Sequence, residues 1–240
     1  MRHFAPWGFL SFACALAGVA PAAAQEAAGD ADPWVVSGGF DLIELRAGQG
    51  DDVFFWDAAF SWGNSRDQVM LVSEGGGALG NQIDETQMRL FYGRTVGNTT
   101  WLLGMRKDIK PHPRDIYAAI GVQGMVGTRL SWETYGFLSD DGRLTGEAQL
   151  IYALPITQNL YLEPRVAVGW SAQASDRDAV RAGFSEAETT LRLRYRLKPK
   201  LNIYTAIVHE RLLGGTRALG RSQGEALQST AAVIGFGFSL

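Results

Sequence analysis

From Phe184 to Lys200 the chain alternates between apolar and charged residues with a period of two. Leu191, Leu193, Tyr195 and Leu197 fall on one side, and Glu186, Glu188, Arg192, Arg194 and Arg196 on the other, because successive strand side chains project to opposite faces. A strand with one greasy face and one face crowded with ions of both signs suits a wall between lipid and a polar interior. It predicts a transmembrane β-barrel strand. An amphipathic strand of a soluble sandwich is the competing reading of this segment taken alone.

The same alternation recurs along the chain. Turn signals separate twelve such segments, at roughly 34–46, 53–63, 68–74, 86–96, 99–109, 115–126, 129–139, 143–154, 160–173, 184–197, 201–213 and 227–240. An even count returns both ends of a single-chain barrel to the periplasm. Counted from there, the even-numbered links are tight: Gly97-Asn98, Gly127-Thr128, Pro155 to Asn159, and Lys198-Pro199-Lys200. The long links, Gly75 to Asp84, Ala174 to Ala182 and Gly214 to Ala226, are all odd-numbered. Short periplasmic turns with longer outer loops are the habit of outer-membrane barrels, so the expected fold is an all-β, antiparallel, up-and-down transmembrane barrel of about twelve strands. The last segment alternates Ala232, Ile234, Phe236, Phe238 and Leu240 with Ser229, Gly235, Gly237 and Ser239, a closing strand of the kind that barrel-assembly machinery recognises.

The N-terminus predicts export. Arg2 and His3 precede an apolar stretch from Phe4 to Val19, followed by Pro21 and Ala22-Ala23-Ala24, the layout of a secretory signal cleaved after Ala24. The expected organisation is a signal peptide at 1–24, a short periplasmic segment at 25–33 and a barrel at 34–240 in the outer membrane. Cys14, the only cysteine, lies in the signal, so the mature chain has neither a disulfide framework nor a thiolate metal site. The whole chain has 22 basic and 25 acidic residues. That balance offers no strongly basic face for nucleic acid. No uninterrupted apolar run long enough for a membrane helix follows the signal, and mean hydropathy is near zero, as expected when half the wall faces a polar lumen.

Candidate chemistry is sparse outside that lumen. His209 stands beside Glu210, but the sequence HERLL lacks the second histidine of a zinc-protease helix. His112 sits in a Lys-Pro-His-Pro loop. The run Gly75-Gly76-Gly77 lacks the Gly-Lys-Ser/Thr of a phosphate-binding loop and reads as a flexible loop tip. Acidic pairs at Asp51-Asp52 and Asp140-Asp141 fit solvated turns. The lumen itself is expected to be lined by Glu44, Asp57, Arg106, Asp108, Glu133, Glu147, Glu163, Arg165, Glu186, Glu188, Arg192 and Arg194. These residues either set a cation pathway or binding site, or pair with one another and plug the interior.

Ordered segments resemble the copper resistance protein B family of proteobacterial outer-membrane proteins. The matching pieces are Glu44-Leu45-Arg46 with Gly48 to Asp52, Trp56-Asp57-Ala58, Ser73-Glu74-Gly75, Tyr117 to Gly124, Thr157 to Leu160, Pro164-Arg165, Leu191 to Tyr195 and Gly214-Gly215-Thr216. The resemblance implies a non-enzymatic outer-membrane barrel in copper homeostasis, with copper ions as ligand or substrate, no tightly bound cofactor, outer-membrane lipid around it and a periplasmic multicopper oxidase as a possible partner. It also exposes departures. The family's His- and Met-rich segment before the barrel has no counterpart in Gln25 to Pro33, and Gln149, Ile151, Ala153 and Ala167 stand where the family looks acidic. Ala231 and Gly237 stand at family-basic positions. Met70, Met88, Met105 and Met125, with the two histidines, form no recognisable copper cluster. Two other readings follow from the residues: a passive barrel without copper function, and an outer-membrane hydrolase with His209 as base, for which no serine is arranged as a nucleophile.

Overall fold

The computed structural model describes residues 32–48, 52–80, 83–110 and 115–240; the expected signal peptide, most of the 25–33 segment, Asp51 and His112 lie outside them. Twelve long strands form one antiparallel sheet: β1 (Val35–Gly48), β2 (Val53–Gly63), β3 (Asp67–Ala78), β4 (Glu85–Val96), β5 (Thr99–Lys110), β6 (Ile116–Val126), β7 (Leu130–Ser139), β8 (Leu144–Tyr152), β10 (Leu160–Ser171), β11 (Gly183–Lys198), β12 (Leu201–Leu212) and β13 (Gln228–Ser239). A two-residue strand, β9 (Leu154–Pro155), continues the β8 side against β10. Neighbours in sequence pair in order, and β1 pairs with β13 from Gly39 opposite Ser239 to Gly48 opposite Ala231. That last pairing closes the sheet, which removes the edge strands that hydrocarbon could not solvate.

Links confirm the parity. One end of the barrel carries the short turns 64–66, 97–98, 127–129, 156–159 and 199–200, and the other carries 79–84, 172–182 and 213–227. The alternation sorts residues as their chemistry requires. Leu103, Ile120, Val166, Leu191, Ile207 and Ile234 are exposed on the outside, while Phe91, Phe137, Leu102 and Val72 are buried inside together with the charged residues. So much exposed apolar surface would aggregate a soluble protein; around a barrel it is the lipid-facing band.

Two long-loop expectations are corrected. Gly75, Gly76 and Gly77 are not a loop tip but part of β3, and they are glycine because the wall is crowded there. A Cβ on Gly75 would stand 2.3 Å from the Trp56 ring on β2, and one on Gly76 would stand 2.6 Å from the carbonyl oxygen of Phe54. The aromatic ring covers the gap that the glycine leaves. The segment from Gly214 is not an extended loop either: α1 (Gly214–Gln223) forms and ends at Gly224 in the left-handed conformation.

Lipid-facing and lumen-facing positions should respond differently to charge. Ile207→Lys places a cation among lipid tails and should weaken folding into vesicles by ~2–4 kcal/mol near the bilayer centre, read as a shift in the urea midpoint of heat-modifiable gel mobility. An unchanged midpoint would show that this face does not meet lipid.

Candidate functional site: a charged barrel interior

Inward positions carry the chemistry. Among the described residues, the carboxylates of Asp41, Glu44, Asp57, Glu74, Asp108, Glu133, Glu147, Glu163, Glu186, Glu188 and Glu210 face the interior, with the guanidinium groups of Arg46, Arg89, Arg106, Arg165, Arg192 and Arg194. A buried charge persists only with partners, and the arginines act as hubs. Arg46 donates to Glu44 at 2.7 Å and Glu210 at 2.9 Å, and reaches Glu188 at 3.5 Å, tying β1 to β11 and β12. Arg165 donates to Gln149 at 2.6 Å and also to Glu188. Gln149 in turn donates to Glu133. Arg194 joins Glu163 at 3.1 Å to Asp41 at 2.8 Å, with Arg192 3.6 Å from the same two acids.

On the opposite wall, Arg89 crosses the interior from β4 to Glu147 on β8 at 2.6 Å, and its other arm lies 3.3 Å from Glu74. Its guanidinium carbon is 5.2 Å from the centre of the Tyr135 ring and 5.1 Å from that of Phe137. Arg106 stacks likewise over Tyr117 and Phe137 while bonding Asp108 at 2.7 Å. Guanidinium is planar, permanently charged and weakly hydrated, so it can satisfy a carboxylate and lie on a ring at once. The interior is therefore partly filled, by an aromatic cluster around Phe91, Tyr135 and Phe137 and a second around Leu42, Phe55 and Tyr204.

The outer end is latched. The link 172–182 reaches across β8 toward β6: Arg177 donates to Asp115 at 2.7 Å, and Asp178 accepts from Arg143. Arg143 also donates to Asp115 and Asp141 at 2.8 Å. Hydrogen bonds from Ser139 and Arg143 hold the Asp141 carboxyl down to about 2. Partial burial pushes Asp115 up, but the bonds from Arg177 and Arg143 outweigh it and leave that carboxyl below its ordinary value.

All twelve residues expected in the lumen have their side chains on the inner face. Sequence reading passed over Arg46, Glu74, Arg89, Asp41 and Glu210. Arg46 and Glu74 share the inward parity of Glu44 and Val72, so strict counting along the strand finds them. Asp41 does not follow from parity: β1 shifts register between Phe40 and Leu42 against β2, and that bulge turns both Asp41 and Leu42 inward. His209 points outward, with Nδ1 2.8 Å from the Thr230 hydroxyl, away from the lumen. Met88 and Met105 are exposed on the outer face, while Met70 is buried inside. No group of three His, Cys, Asp or Glu among the described residues is placed to hold a metal by itself.

Residues 35–239, nearly the whole barrel, match the family model described as Copper resistance protein B precursor (CopB). The chain belongs to the copper resistance protein B family. Among its relatives are the Copper resistance protein B homolog of Pseudomonas syringae pv. tomato, 27% identical over 81% of this chain and 66% of that protein, and Copper resistance protein B of Escherichia coli, 28% identical over 77% and 62%. The chain thus spans somewhat less than two thirds of the length of these curated relatives. In fold it is similar to the NanC porin (TM-score 0.56, 13% identity, 86% of this chain and 100% of that one) and the KdgM porin (TM-score 0.50, 10% identity, 86% and 99%). The fold is thus that of a porin-type β-barrel, and the family relation rests on sequence.

Two outcomes follow from this geometry. Arg89→Met keeps bulk but strands Glu74 and Glu147 in the interior, which should cost ~3–5 kcal/mol in the urea midpoint of the folded barrel; a smaller loss than for Lys107→Met on the outer face would contradict the hub role. At the outer mouth, carboxylates held below their ordinary values contribute order above the ordinary range and lose it as pH falls through the depressed values. Pepsin should leave the 172–182 link intact at about pH 4 and cut it as the pH approaches about 2; equal cleavage at both would show that the latch does not order the link.

Proposed function

We propose that this barrel serves copper resistance by admitting copper as a cation into its acid-rich interior and passing it between the exterior and the periplasm. The observation that carries the reading is that acidic side chains outnumber guanidinium groups on the inner face among the described residues. Arginine neutralises part of the set, and the surplus attracts cations and raises their local concentration. The acids extend from Glu186 and Glu210 near the outer ends of β11 and β12, past Asp41 midway along β1, to Glu163 near the periplasmic end of β10. Oxygen donors of this kind suit Cu2+, whereas Cu+ prefers sulfur. The family relation supplies copper as the cation. On this reading the chain is exported by a signal peptide cleaved after Ala24 and works beside periplasmic copper oxidation.

Glu186, near the outer end of β11 and inward-facing beside Glu210, is a good place to test it. Combining Glu186→Gln with Glu133→Gln removes two interior acids that lie outside the arginine pairs described above. Copper accumulation in cells should change at least severalfold while the amount of heat-modifiable barrel in the outer membrane stays constant. Unchanged copper accumulation with a large loss of thermal stability would leave the acids a structural plug.

A further inference from the structure

Three neighbouring strands bring unsatisfied oxygens together on the inner wall. Asp57 on β2 is directly opposite Glu74 on β3, and Glu74 is directly opposite Gln87 on β4. Asp57 and Glu74 are 1% and 0% exposed. Gln87 donates its amide to Glu74 Oε2 at 2.7 Å, which fixes the orientation of the amide. That leaves Asp57 Oδ2, Glu74 Oε1 and Gln87 Oε1 buried, each without a hydrogen-bond donor. Arg89 does not fill the gap: its Nη1 is committed to Glu147, and its Nη2 stands 3.3 Å from Glu74 Oε1 out of hydrogen-bond alignment. Arg89 Nε and Nη2 are themselves without a hydrogen bond, but they belong to a guanidinium already paired with Glu147; buried polar atoms in native interiors are almost always satisfied, so the three orphaned acceptors ask for a further positive guest.

We propose that Asp57, Glu74 and Gln87 form an oxygen-donor site for one divalent cation, with water completing its shell. A shared proton satisfies two of these oxygens and leaves the third bare; a cation satisfies all three. Carboxylate and amide oxygens with water are a donor set for hard and borderline divalent ions. That the physiological ion is Cu2+ rests on the function proposed above; the site itself stands on the orphaned oxygens.

The test is a Cu2+ titration of the barrel purified from outer membranes in detergent and stripped of metal with a chelator, followed by calorimetry and electron paramagnetic resonance. One equivalent should bind with an oxygen-dominated spectrum free of nitrogen coupling. Asp57→Asn should weaken it at least tenfold, and Asp140→Asn, in an exposed turn, should leave it unchanged. Gln87→Met, which alters no charge, should also weaken it and serves if Asp57→Asn fails to fold, as judged by gel mobility. Equal Cu2+ affinity in wild type and both variants, or a spectrum split by nitrogen, overturns the site. Copper accumulation in cells separates the two readings: a deletion without a copper phenotype, despite Cu2+ binding as described, removes the copper function and keeps the site. Dependence of copper accumulation on the barrel, with Cu2+ affinity unaffected by either variant, removes the site and keeps the function.

Discussion

Away from the rims, the charged side chains of this membrane-crossing wall turn inward, and that single constraint organises the molecule. Lipid cannot solvate charge, so alternation delivers acids and arginines to a space where each must find a partner. Six guanidinium groups provide most of that pairing. Because arginine bonds carboxylates on two strands at once, as Arg46 and Arg194 do, the pairing also fixes how distant strands face each other. Arg89 does this across the interior rather than around the wall. The aromatic rings beneath the arginines fill space that a porin would leave to water.

Pairing does not consume all the acid. On the side of β10 to β12 and β1, arginines are frequent enough to bind most carboxylates. On the side of β2 to β4, β7 and β8, Arg89 pairs with Glu74 and Glu147, and Glu133 reaches Arg165 only through Gln149. The charge surplus is thus local, and it coincides with the orphaned oxygens. The departures from the family acquire a physical sense here. Gln149 bridges Glu133 to Arg165 without adding charge, and Ala167 is fully buried in the wall, so this chain carries less interior acid along β8 and β10 than its family pattern suggests.

Much of the architecture was legible from alternation, since one greasy and one polar face is what a barrel wall demands of each strand. The lumen-facing acids followed from the same parity. What escaped were features where another force overrides the period. Asp41 needs a bulge, which parity cannot see. Gly75 to Gly77 look like a loop because strands avoid glycine, yet Trp56 packs over the first of them and makes the strand possible. The helix from Gly214 begins on two glycines, residues of poor helical propensity, so the sequence there suggests a loop. Arg89 lay in plain alternation with Met88 and Leu90, but nothing local says that its partner is on β8. Interior aromatics such as Tyr135 and Phe137 share the parity of Glu133, and their part in holding guanidinium groups emerges only in three dimensions.

The central claim is that surplus interior carboxylate makes this barrel a pathway for cations. The most direct measurement is the reversal potential of the purified barrel in a planar bilayer, with a tenfold gradient of copper(II) salt as the only electrolyte. The account predicts a potential of the sign set by cation flux, moving toward zero when Glu133 and Glu186 are both glutamine. A potential of the sign set by the anion, or no copper-dependent current, would contradict it.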